Sequence, residues 1–178
     1  MFDDKRNIAR FEQNANDAET WKGSANGLFV SYNLLWNEYK VAISEMQSRK
    51  NGPVPINFNV LGPALILLAM GIESLLKSVW IKKGGRHAEN GKLVKSLGSG
   101  HDLVNIANQI GVILTTDEKD ILERLTLYIE FGRYPVGTCW QKGAFKKTKY
   151  GILPRLYWGQ DDAVLTKKLV DRLRELSI

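Results

Sequence analysis

Few side chains in this 178-residue chain have the chemistry for a reaction, and they are scattered along it. His87, His101 and the single cysteine, Cys139, show none of the clustered spacing of a zinc site, so no metal is expected. A nucleophilic Cys139 would need a base held beside it, and none stands nearby in the sequence. Gly84-Gly85 and Gly98-Ser99-Gly100 lack the spacing of a phosphate loop, and no cofactor is expected. What remains is acid–base and phosphate chemistry. Arg133 ends the run TLYIEFGRYP, where a guanidinium can cap helix carbonyls, pair with Glu130, or clasp a phosphate in a bidentate fork. His101 precedes Asp102 at an expected helix start. It is either an exposed neighbour of a capping aspartate or a base, and a base would need Glu73 or Arg133 to reach it in space. Glu73, His101 and Arg133 are therefore the catalytic candidates.

A second group is defined by charge. The net charge is +6, and between Arg133 and Arg155 six basic residues occur without one acid. Tyr150, Tyr157 and Trp158 lie in or just after this stretch. Cations interleaved with aromatic rings suit single-stranded nucleic acid, with Arg133, Lys77, Lys146, Lys147, Lys149 and Arg155 meeting phosphate and the three rings stacking on bases. The alternative is a solvated basic loop.

These residues must be positioned by helices. Leu61, Leu65, Leu68, Ile72, Leu75 and Val79 recur at steps of four and three, so one helix spans about 60–83 and ends at Gly84-Gly85. Its second stripe, Ala64, Leu67, Gly71, Ser74 and Ser78, is mostly small and admits a neighbouring helix at close range. Glu73 and Lys77 interrupt it one turn apart, in the favourable acid-before-base order, which argues against a membrane span. Leu28, Tyr32, Leu35, Tyr39, Ala42 and Met46 predict an earlier helix that stops at Asn51-Gly52-Pro53. The first twenty residues form a short helix or an arm packed by Ile8 and Phe11. Residues 86–100 read as a loop, Leu103, Ile106 and Ile110 as a short helix, and Thr115 with Glu118 as a capping box opening the next. Asp161-Asp162 starts the last helix, with Leu165, Leu169, Leu173 and Leu176 as its buried stripe.

No convincing strand pattern is seen. The expected fold is all-α, a bundle of about five helices in one domain over 1–178, with a core in 24–135 and 161–177 and a basic aromatic loop over 136–160. A lone cysteine and an N-terminus without an apolar leader predict a cytoplasmic protein.

Three segments together resemble HEPN domains. ALILLAMGIESLLKSVWI is similar to their second helix, where a Glu and, four residues on, a Lys break an apolar run. Gly100–Ile106, GHDLVNI, resembles the His-Asp-Leu opening of the next helix, and Ile129–Pro135, IEFGRYP, the end of the fourth. The resemblance covers about 61–135. It implies a helical bundle that commonly dimerises, and roles in RNA cleavage, nucleotide binding, toxin–antitoxin pairs or phage defence. Catalytic members carry an arginine followed after four to six residues by a histidine. Here Thr138, Cys139 and Trp140 stand at that distance from Arg133, and Gly91, Lys92 and Leu93 from Arg86. The leading expectation is thus a HEPN-like protein that binds RNA or a nucleotide without the usual catalytic histidine. The alternatives are an active metal-independent ribonuclease using His101 or a base on a partner protomer, and a non-enzymatic protein–protein module. Expected partners are RNA or a nucleotide, a cognate antitoxin or nucleotidyltransferase, and a second copy of the chain.

Overall fold

The computed structural model describes residues 4–49, 52–94, 97, 101–131, 145–148, 151–154 and 158–178. In chain order these form α1 (Asp4–Ala15), α2 (Ala18–Ser48), a 3-10 turn (Ile56–Val60), α3 (Leu61–Lys82), β1 (Ala88–Glu89), β2 (Lys92–Leu93), α4 (Leu103–Gln109), α5 (Thr116–Phe131), β3 (Phe145–Thr148), β4 (Gly151–Pro154) and α6 (Gln160–Leu176). The architecture is mostly helical, as an all-α reading requires, with α3 at its centre against α2, α4, α5 and α6.

Helix α3 is central because both of its stripes are used. Leu65, Ile72, Leu75 and Val79 are fully buried and Leu68 nearly so. The small stripe receives α2: a side chain on Gly71 would strike the Phe29 ring at 2.6 Å, and Ser78 Oγ donates to Ala18 O at 2.9 Å. The helix stops where two glycines allow it. Gly84 adopts φ +87°, its N–H bonds Ile81 O, and the Gly85 N–H bonds Trp80 O, the paired closure of a left-handed cap. By length and composition the stretch Ile56–Lys82 is apolar enough to cross a membrane, but 67% of its most apolar window is buried inside the protein, as in a core helix.

Two further joints fix the C-terminal half. The expected capping box is present: Thr115 N donates to Glu118 Oε2 and Glu118 N to Thr115 Oγ1. Glu118 also accepts from Arg172 of α6 at 2.8 Å. The buried Arg124 of α5 grips Asp162 with two nitrogens, at 3.1 and 2.6 Å, and Asp120 with a third. Asp162 in turn accepts the Gly159 N–H, so it both anchors α6 and caps it.

Several expectations are corrected. Helix α2 begins at Ala18, before Leu28 as expected, and Tyr32, Trp36 and Ala42 are buried as read, but Ala25 and Phe29 join them while Met46 is exposed. The crossing over Gly71 and Ser78 sets that phase. The first residues form the short-helix alternative, α1; its Ile8 and Phe11 are 43% and 39% exposed, Ile8 lying against Gly91, and Ala15 is its buried residue. On α6, Leu169 and Leu173 are buried with Thr166 and Val170, while Leu176, in the last turn, is exposed. Six α-helices stand among the described residues, and two small antiparallel hairpins accompany them. In one, Asn90 (φ +51°) and Gly91 (φ +72°) supply the consecutive left-handed residues of a two-residue turn between β1 and β2. The other pairs β3 with β4, Lys146 opposite Leu153 and Lys147 opposite Ile152, inside the segment expected to be an irregular loop.

Candidate functional site

Glu73 lies in the middle of α3 and is only 7% exposed. A carboxylate so placed must be paired, because burial alone favours its protonated form. Lys77, one turn along, donates to Oε1 at 2.7 Å, and His101 Nδ1 lies 2.8 Å from Oε2. Burial pushes the Glu73 carboxyl up, but Lys77 first and then His101 more than offset this and hold it below the ordinary range. An ionised carboxylate only accepts, so the proton of this bond sits on His101 Nδ1. In the neutral form of the ring Nε2 then carries no hydrogen, and the side chain is 42% exposed. A neutral histidine oriented through Nδ1 by a carboxylate presents Nε2 as an acceptor and is equipped for general-base work.

The position of His101 follows from the start of α4. Asp102 caps that helix by accepting the Asn105 N–H at 3.0 Å, and Leu103 N donates to Thr126 Oγ1 of α5 at 3.1 Å. Leu103 and Ile106 are buried against the core. His101, one residue before the cap, is thereby held over the middle of α3.

Lys77 is committed on two sides. Besides Glu73, its ammonium stands 4.8 Å from the centre of the Trp21 ring, and its side chain is 16% exposed. In this arrangement it acts as the counter-charge of Glu73. Trp21 continues the assembly: its Nε1 donates to Ala15 O at 2.8 Å, and its ring meets His87 edge to face at 4.8 Å. Trp80 approaches His87 from another side at 5.8 Å. This is possible because Gly85 has no side chain, the Trp80 indole occupying the place where a Cβ would project. Both histidines of the chain therefore flank the Glu73–Lys77 pair. Trp21 stands in helical step with Ala25, Leu28 and Tyr32 and was legible on that ground; His87 lies in no periodic run, and the Asn90-Gly91 turn is the local signal of the hairpin beside it.

The remaining candidates fall differently. Trp158 is 5% exposed and the Arg124 guanidinium stands 5.7 Å over its ring, so that face is taken by the protein itself. Lys146 and Lys147 belong to β3. Arg133, Lys149, Tyr150, Arg155 and Tyr157 lie outside the described residues, as does most of the segment 136–160. Among the described residues no group of three His, Cys, Asp or Glu side chains could hold a metal ion.

Comparison with family models, with curated proteins and with solved structures gives no match to this chain. The functional reading therefore rests on the site.

Proposed function

We propose that this chain is a HEPN-like helical protein that binds RNA or a nucleotide, with the phosphodiester seated beside His101 and its charge met by the basic residues 133–155. What supports the reading is the pairing of His101 with a buried, ionised Glu73, in a chain that also carries an acid-free basic stretch from Arg133 to Arg155. Lys146, Lys147, Lys149, Arg133 and Arg155 supply long-range attraction, and Tyr150 or Tyr157 the stacking surface. In a cytoplasmic toxin–antitoxin or phage-defence setting the partner chain would be an antitoxin or a nucleotidyltransferase. A two-fold homodimer belongs to the same proposal, and Val30, Leu34 and Val41, 50–64% exposed on one face of α2, suit such a contact.

The Glu73–His101 pair favours a second reading, metal-independent ribonuclease. A base at His101 Nε2 can take the proton of a ribose 2′-hydroxyl, whose oxygen then attacks the adjacent phosphorus and expels the 5′-oxygen. The test uses one labelled single-stranded RNA in chelator at low salt. Binding without cleavage supports the first reading, and cleavage abolished by His101→Ala the second. No binding at all leaves the protein–protein module as the better account.

A further inference from the structure

His87 is buried, 7% exposed, and its Nδ1 has no hydrogen-bond partner among the described residues. A buried polar atom left unpaired calls for an explanation. In the neutral ring that nitrogen can stay bare. In the cation it must carry a hydrogen, and a buried N–H without an acceptor is costly. Among the described residues two charged groups, both on α3, act on the ring: Lys77, which opposes a second cation, and Glu73, which would welcome one. Both Glu73 oxygens are already committed, to Lys77 and to His101. The other neighbours, Trp21 of α2, Trp80 of α3 and Asn16 before α2, carry no charge.

We infer that His87 is an acid-sensitive latch: protonating its ring unseats Trp21, α1 and the β1–β2 hairpin, and uncovers Lys77. The parts that would move are lightly held. Asn16 clasps the hairpin, its Oδ1 accepting from His87 N and Ala88 N and its Nδ2 donating to Ala88 O. Glu12 adds one bond, from Gly91 N at 2.7 Å. Helix α1 buries nothing but Ala15, and that residue's carbonyl receives the Trp21 indole N–H. Trp21 is thus the link: it touches α1, His87 and the Lys77 ammonium together. When it leaves, Lys77 loses the ring that covers one side and can turn toward an anionic ligand. Burial first, and the Lys77 charge second, hold His87 below the ordinary histidine range, which agrees with a latch closed at neutral pH. The inference goes beyond RNA binding and does not depend on it.

Amide exchange in α1, corrected for the intrinsic effect of pH, provides the test. The latch predicts exchange at least tenfold faster at pH 5 than at pH 7 in the parent protein, and no such change in His87→Phe, whose ring cannot be protonated. Equal protection at both pH values in the parent, or the same acceleration in the variant, would overturn it. Should His87→Phe fail to fold, the imidazole proton resonances of the parent decide, with His101→Asn used only to assign them. A His87 midpoint below about 6.5, moving together with the Trp21 indole and α1 signals, supports the latch. A His87 ring that titrates while those signals stay fixed contradicts it.

Discussion

Lys77 is the residue on which the site's charge state turns. Its ammonium and Glu73 are mostly buried together, and removing one partner of such a pair leaves the other charge stranded. Lys77→Met is expected to cost about 3–5 kcal/mol, read from urea unfolding at neutral pH; a loss under about 0.5 kcal/mol would mean the pair is solvated. The pH dependence has a definite sign. Glu73 is held below its ordinary value, so its contribution is complete above the unfolded range, about 4.3, and is lost as pH falls through the folded value. His87 is also depressed, which favours its neutral form in the folded protein. Its contribution is present above about 6.5 and is lost as pH falls below that. Stability should therefore decline toward acid in two stages, and His87→Phe should remove the His87 part of the upper one. An unfolding free energy that rises from pH 7 to pH 5 would refute this.

At the scale of elements, α3 was legible because an apolar period survives any environment: Leu65, Leu68, Ile72 and Leu75 are among the most buried side chains. Leu68→Ala should cost about 2–5 kcal/mol through the cavity it leaves. Gly71→Ala should cost about 1–3 kcal/mol by the opposite mechanism, overpacking against Phe29. Thermal unfolding of both variants checks the crossing of α2 and α3; an indifferent Gly71→Ala would mean the helices are further apart. The capping signals at Asp102, Thr115 and Glu118 were legible for the same local reason. What was not legible is contact between residues distant in sequence. His101 reaches back 28 positions to Glu73, and Asn16 forward 71 to the His87 backbone. Neither spacing has a period. The β1–β2 hairpin was missed although Asn90-Gly91 spells its turn, because strands of two residues are too short to show alternation.

At the scale of the molecule, the apolar face of α2 bears on assembly. If Val30, Leu34 and Val41 meet a second copy, sedimentation at micromolar concentration should give a dimer, and Leu34→Glu a monomer of unchanged helicity. A parent protein that stays monomeric removes this part of the proposal. The charge distribution bears on the ligand. Opposite a nucleic acid, a stretch with six cations and no acid acts by displacing counterions, so its contribution must depend on salt. The most direct measurement is fluorescence anisotropy of a labelled single-stranded RNA, titrated with the protein at about 50 and 200 mM salt. The account predicts binding at low salt that weakens steeply as salt rises, and a shallower slope when Lys146, Lys147 and Lys149 are replaced together by alanine with the fold intact. No binding at low salt, or an affinity indifferent to salt and to the triple substitution, would contradict it.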